Sequence, residues 1–331
     1  MPERAAMSDS REVPAMTRRL FLGGAAAAGC AVATGGLAAA AQRRSFFAEH
    51  HLPIGLQLYT LGQSPYRDLD GTLREVAKIG YRTVEPVALM KRTARELRAA
   101  LDRAGLACPS THVPLQTFGA GGPSLEGDVA KLADELHLLG VRYVVVPIFP
   151  VPARIKLRKG ETVVEFFARA GREMTADDWR RTAAQLNEKG AALRREGLRL
   201  AYHNHNVEFV EYGSETAFDL LLANTDPDLV RFEVDSGWVG AAGVDPIALL
   251  RAHAGRFRLV HIKDLKAATV ANHAFSMDPA DVGSGYLDWK RILPVAYEAG
   301  VRYYYVEQEP PFAEPRMDAA RTDFDYLSRV S

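Results

Sequence analysis

The chain has 331 residues, with 41 basic and 41 acidic side chains and two cysteines. That length suits one large buried core. No basic excess is available to neutralise a phosphate backbone, which argues against a nucleic-acid enzyme, and two cysteines supply no disulfide framework.

The first 41 residues read as an address. TRRLFL at 17–22 leads into a Gly/Ala-rich apolar run that ends in three alanines at 39–41. A charged start, a weakly apolar middle and an Ala-x-Ala cleavage site make a secretory signal. The paired Arg18 and Arg19 look like a twin-arginine signal, so the export machinery is an expected partner and the periplasm an expected location. The run is too Gly/Ala-rich to favour a membrane anchor. Ala28, Gly29 and Cys30 form an alternative lipoprotein site. Cutting after Ala41 leaves 290 residues with net charge −1, because four Arg and three acids depart. Residues 42–52 read as a linker and 53–331 as one domain.

From there the chain alternates strand and helix. Residues 54–59 read as a strand, and 69–80 as an amphipathic helix stopped by Gly80. Residues 83–85 are a short strand, followed by a helix over 93–104 with Gly105 as its stop. A third strand covers 107–112, a helix 125–139 ends at Gly140, and 143–147 is a buried strand. A longer connection over 150–177 holds a short helix at 163–170. Thr175 or Asp177 caps a helix that runs to about Glu196. Four more strands end near His205, Asp235, Lys263 and Glu307. Eight alternations predict an α/β fold with a parallel sheet closed into a (β/α)8 TIM barrel.

Those last four strand ends carry the chemistry. AYHNHNVEF at 201–209, FEVD at 232–235, HIKD at 261–264 and YYYVE at 303–307 each pass from apolar residues to metal-binding or proton-moving ones. His203, Asp235, His261 and Glu307 follow one another at intervals of 32, 26 and 46 residues, near the spacing of one βα unit. In a barrel such ends converge on one face. Strand alternation aims the large apolar residues outward. His203, His205, Glu233, Asp235, His261, Lys263, Tyr305 and Glu307 then point inward, and Glu85 and His112 fall on the same rim. A lone inward His is usually a hydrogen-bonded core residue, and a lone Asp at a strand end is often a helix cap. Several acids and imidazoles on one rim would repel or stay unpaired without a cation. Two imidazoles with two carboxylates suit one divalent Mn, Co, Zn or Fe ion.

Together with VGSGYLDW at 282–289, these motifs resemble the sugar isomerase/epimerase family with the xylose-isomerase-like barrel, over about residues 53–328. The resemblance implies one divalent metal held by four ligands from strands five to eight. In ketose 3-epimerases these are Glu, Asp, His and Glu, and the two Glu exchange the substrate proton. Asp235, His261 and Glu307 match three positions, while His203 stands where the epimerases have Glu. Glu208, in the same loop, is therefore the candidate for the missing carboxylate, as base or as ligand. The implied chemistry is enolisation of a sugar substrate. Glu307 or Glu208 is the base, and Lys263 or His205 the proton donor. Glu85, His112, Trp238 and Tyr59 are candidate substrate contacts, with Phe209 and Tyr286 as further stacking candidates. Gly283 and Gly285 could cradle a phosphate or simply shape the rim. Three activities fit: a sugar isomerase or epimerase, a keto-glycoside lyase or hydrolase, and a carbohydrate-binding barrel. The oligomeric state is left open, a homo-oligomer included.

Overall fold

The computed structural model describes residues 44–117 and 122–331. The expected signal, its cleavage after Ala41 and the alternative site at Cys30 lie outside those residues. Among the described residues no helix is long and apolar enough to cross a membrane.

Eight parallel strands form the barrel. They are β1 (Gly55–Gln57), β2 (Thr83–Glu85), β3 (Ser110–His112), β4 (Tyr143–Val146), β5 (Arg199–His203), β6 (Val230–Asp235), β7 (Phe257–Ile262) and β8 (Tyr303–Val306). Their spatial order is β2-β1-β8-β7-β6-β5-β4-β3. Isolated parallel bridges, Thr83 to Ala107 and Val87 to His112, draw the β2 and β3 edges together. Around this wall lie α1 (Leu69–Ile79), α2 (Ala94–Ala104), α3 (Val129–Leu139), α4 (Val163–Glu173), α5 (Ala176–Arg195), α6 (Ala217–Asn224), α7 (Ser236–Ala241), α8 (Pro246–Ala252), α9 (Trp289–Glu298) and α10 (Arg316–Leu327).

Local chemistry sets these boundaries. Thr93, Thr162, Thr175 and Thr216 each begin a helix with a reciprocal capping box, closed by Glu96, Glu165, Asp178 and Asp219. Of the two caps weighed for α5, Thr175 is the one used. Gly105 and Gly140 stop α2 and α3 in the left-handed region, at φ 69° and 80°. The helix expected from residue 125 begins at Val129, because the Asp128 carboxylate takes the backbone amides of Ala130 and Lys131.

The alternation rule divides the strands as expected. Tyr202, Phe232, Val234, Val260, Ile262, Tyr304 and Val306 face the helices and join the large outer core. Val145, Ala201, Leu259 and Tyr305 pack against one another inside the barrel, where Ser110 Oγ meets the Tyr305 hydroxyl at 2.8 Å. Within the described part of the expected linker, residues 44–52, the chain packs against the barrel. Ser45 caps a short helix, Phe46–Glu49, and both phenylalanines are buried edge-on against Tyr304.

The VGSGYLDW loop takes its shape from Asp264. That carboxylate accepts the amides of Leu265, Gly283 and Leu287 and the indole N–H of Trp289. The Gly283 amide is therefore engaged by a protein carboxylate and the Ser284 amide by the Asp281 carbonyl, and a side chain at Gly285 would collide with Asp264. The Gly-x-Gly thus shapes the rim around Asp264.

Candidate metal centre

His203 and Asp235 are the last residues of β5 and β6, His261 is the penultimate residue of β7, and Glu307 follows β8 directly. All four are buried. One donor atom from each lies within 4.8 Å of every other. His203 Nε2 and His261 Nδ1 are 4.0 and 3.8 Å from Asp235 Oδ2, and His261 Nδ1 is 3.0 Å from Glu307 Oε2.

Both imidazoles are braced from behind. The second nitrogen of His203, Nδ1, meets Glu233 Oε2 at 3.1 Å, and that of His261, Nε2, meets Glu85 Oε2 at 2.8 Å. A neutral ring that donates to a rear carboxylate keeps its other lone pair for the front, the usual arrangement behind a metal-ligating histidine. Burial, against the pull of Glu233, lowers the His203 pKa and keeps that ring neutral. The two oxygens of Asp235 are also divided. Oδ1 accepts the Trp238 amide at 2.9 Å and so caps α7. Oδ2 points into the ring without a hydrogen bond, although Lys263 Nζ lies 2.9 Å away. A buried carboxylate oxygen that has an ion pair but no hydrogen bond, and that faces two imidazoles and a second carboxylate, fits a borderline divalent cation.

A second group of donors, His112, His203, Glu233 and His261, lies one layer deeper. Glu233 Oε2 there is 3.0 to 3.2 Å from nitrogens of all three histidines. Glu85 Oε2 meets His112 Nε2 at 3.1 Å and the Gln57 amide at 3.0 Å. The two Oε2 atoms are saturated by these contacts, whereas Glu85 Oε1 and Glu233 Oε1 are buried without a hydrogen bond; through the Oε2 contacts this layer braces the upper ring. Burial alone would raise the Glu233 carboxyl, but the three imidazoles hold it well below the usual range. Burial would lower His112, but Glu85 and Glu233 outweigh it and push that ring up to about 9.

His261 carries a consequence for metal uptake. Burial would lower its pKa, but Glu233 and Glu307 hold it well above the usual histidine range. The metal-free ring is therefore charged at neutral pH, with a proton on Nδ1 toward Glu307. An entering cation must displace that proton, so affinity should rise with pH and about one proton should leave per ion. Calorimetric titration in two buffers of different ionisation heat measures this. Identical heats in both would contradict the assignment of His261 as a ligand.

Lys263 lies behind the front carboxylates, fully buried. Its ammonium pairs with Asp235, Glu307 and Glu309 at 2.9, 2.8 and 2.7 Å and sits 5.0 Å over the Trp238 ring. Despite burial, these acids hold it charged, well above the usual lysine range. The ammonium is hydrogen-bonded to Glu309 and ion-paired with Asp235 and Glu307, so Lys263 is positioned to hold acids rather than to reach substrate.

A cavity of about 310 Å³ opens over the ring, lined by Tyr59, His112, His203, His205, Trp238, Glu307 and Glu309 among others. Of the candidate substrate contacts, Tyr59, His112 and Trp238 are on its wall. Glu85 is fully buried under the histidines and does not reach it. His205 lines it with Nδ1 unpartnered, and burial, with His203 and Lys263 nearby, holds its pKa well below the usual value. Phe209 instead stacks on Phe218 at 5.1 Å, and Tyr286 lines a separate groove with Asp245.

Glu208 is the clearest departure from expectation. Its carboxylate accepts the Tyr202 hydroxyl at 2.6 Å and the His205 amide at 2.9 Å. Tyr202 faces the helices, so Glu208 turns away from the ring and ties the loop after β5 to the outer core. Burial pushes its carboxyl up to about 7. Glu208→Gln, which keeps an acceptor for the His205 amide, should hold metal and solvent-deuterium exchange within a few-fold of wild type. A hundredfold loss of exchange with metal retained would return Glu208 to the role of base.

Two supports were not singled out from sequence. Glu309 continues the inward parity of Tyr305 and Glu307 past the end of β8, and Gln57 sits beside Glu85 in the β1–β2 register. Inward alternation carried two residues further would have found Glu309.

Comparison with known proteins agrees with this architecture. The family described as "Xylose isomerase-like TIM barrel" matches residues 73–330. An inosose dehydratase from Lacticaseibacillus casei is 26% identical over 264 residues, covering 73% of this chain and 83% of that protein. A sugar phosphate isomerase/epimerase from Parabacteroides distasonis superposes with a TM-score of 0.65 at 26% identity, covering 84% of this chain and 94% of the other. The zinc-bound IolI protein shares the fold, with a TM-score of 0.58, 17% identity and coverage of 85% and 99%. With eight parallel strands, ligand-type residues at the ends of β5 to β8 and a family match over most of its length, the chain belongs to the xylose isomerase-like TIM barrel family.

Proposed function

We propose that this protein is a divalent-metal-dependent enzyme that removes the proton next to a carbonyl in a keto-sugar or cyclic keto-polyol. The observation that carries this reading is the ring of His203, Asp235, His261 and Glu307, whose donor atoms lie within 4.8 Å of one another and in which Asp235 Oδ2 has no hydrogen bond. A divalent cation in that ring would polarise the substrate carbonyl and ease loss of the neighbouring proton. Glu307 is the base on the cavity wall. Its Oε2 is shared by His261 and Lys263, so its other oxygen takes the proton. Lys263 holds the Glu307 and Glu309 carboxylates in place by charge. His205, neutral and facing the cavity, hydrogen-bonds a substrate hydroxyl.

The carboxylates facing the cavity, Glu307 and Glu309, stand together, whereas His203 and His205 occupy the β5 end. A site with its bases on one side disfavours returning the proton to the opposite face, as epimerisation requires, and suits β-elimination, in which Glu307 takes the C–H proton, the C–O bond breaks, and the same proton passes to the departing oxygen, which leaves as water or an alcohol. Similarity to inosose dehydratases supports the same outcome. Isomerisation or epimerisation is the second reading, supported by similarity to a sugar phosphate isomerase/epimerase. Incubating metal-loaded protein with 3-keto-glucosides and inososes in deuterium oxide tests the shared step. Deuterium should enter the carbon next to the carbonyl, and elimination should also yield an unsaturated product. If no substrate of either class exchanges, the reading fails.

A further inference from the structure

The half of the cavity away from the metal ring is apolar, and the proposed chemistry does not use it. Val163 and Val164 open α4, and both line this cavity while remaining 67% and 57% exposed. The first turn of a surface helix ordinarily presents polar residues to water, and the core gains little from either valine. Pro147 and Ile148, just past β4, continue the wall, and Phe275 closes it from the loop after β7.

Phe275 is held there against its backbone preference. Its φ is +51°, a left-handed conformation that is costly for a bulky residue and is kept only where the surroundings enforce it. The enforcing contact is its amide, which donates to Asn206 Oδ1 at 3.1 Å, while the Asn206 amide holds Asn272 from the same loop. The ring is thereby set 4.7 Å from His205 and 5.9 Å from Trp238. The apolar wall is thus built up to the edge of the metal ring. Glu307 and Glu309 put carboxylates on the cavity lining, and the raised imidazole of His112, also on it, is already paired with Glu85 and Glu233. The nearby ammonium of Lys263 is buried and fully paired. A phosphate would meet like charge, whereas a neutral apolar group would meet a matching surface.

We infer that this wall is a subsite for an apolar, ring-sized substituent on the sugar, so that the substrate is a glycoside with an aromatic or similarly apolar aglycone and not a sugar phosphate. The inference rests on the proposed sugar chemistry only for placing the sugar ring at the metal. Calorimetric titration of zinc-loaded protein with methyl and phenyl 3-keto-β-glucosides and with glucose 6-phosphate tests it. The phenyl glycoside should bind about tenfold or more tightly than the methyl glycoside, from burial of part of the ring, and the phosphate no more tightly than the methyl glycoside. In Val163→Ser/Val164→Ser, at exposed positions, the phenyl-to-methyl ratio should fall toward one. Equal affinity for the two glycosides in wild type, no binding of the phenyl glycoside, or tighter binding of the phosphate would overturn the subsite. A phenyl preference without deuterium exchange would leave the subsite standing and remove the enolisation chemistry instead.

Discussion

Asp235→Asn should abolish metal binding and, with it, solvent-deuterium exchange. The two oxygens of Asp235 separate its structural and chemical tasks. Oδ1 caps α7 through the Trp238 amide, and an Asn oxygen can keep that bond. Oδ2 faces the ring without a hydrogen bond, and only there does the lost charge matter for a cation. The metal-free variant should therefore fold. At neutral pH it should be somewhat less stable than metal-free wild type, because the ionised Asp235 is favoured by the fold and its loss leaves the buried Lys263 ammonium one partner short. Burial pushes the Asp235 carboxyl up, and Lys263 and the neighbouring histidines outweigh that and hold it below the usual range. The contrast should appear in thermal melts. At a metal concentration about 100 times Kd, wild type gains roughly 2.7 kcal/mol, or about 5 °C in a chain of this size. Asp235→Asn should gain nothing. A metal-dependent shift of the same size in the variant would show that the ion sits elsewhere, with the deeper group of His112, His203, Glu233 and His261 as the next place to look.

The barrel and the ring were legible in the sequence for one reason: period-two alternation next to turn signals fixes which way a strand residue points. His203, Asp235, His261 and Glu307 share one parity, and the structure brings their donor atoms together. The same rule placed Glu233 inward but could not say that it would lie under three imidazoles, since that depends on the register between β5, β6 and β7. Glu208 was expected to turn inward on other grounds, because His203 stands in the missing carboxylate's place; it follows the strand on the short 3-10 turn Val207–Phe209, where strand alternation does not apply. There the partner that decides direction is Tyr202, an outward residue of β5. Lys263 shows another limit. Its inward direction was readable, but its saturation by three carboxylates required Glu309, which lies beyond the last residue of β8. The apolar wall was beyond reach because Ile148 and Val163 come from distant parts of the connection between β4 and β5 and Phe275 from the connection between β7 and β8. None carries a periodic signal that relates it to the others.

Glu307→Gln should reduce deuterium exchange by a factor of about 100 or more and also weaken metal binding, because one side chain does both jobs. Glutamine keeps the shape and can still offer an oxygen to Lys263, but it neither accepts the substrate proton nor supplies charge to the ring. Burial would raise the Glu307 carboxyl, yet Lys263 and His261 hold it well below the usual range. It is therefore ionised at neutral pH, the state a base requires. The necessary control is Glu309→Gln. Glu309 also lines the cavity, is a quarter exposed at its side chain and reaches Lys263 at 2.7 Å, but it does not belong to the ring. In Glu309→Gln the ammonium keeps Asp235 and Glu307, so metal content should be unchanged and exchange should fall by less than about tenfold. The pair separates two ways of placing the base. If Glu309→Gln keeps its metal yet loses exchange a hundredfold, the proton goes to Glu309, and Glu307 serves only as a ligand. If both variants exchange at the wild-type rate, neither carboxylate is the base, and His205, the neutral imidazole on the same wall, becomes the group to replace.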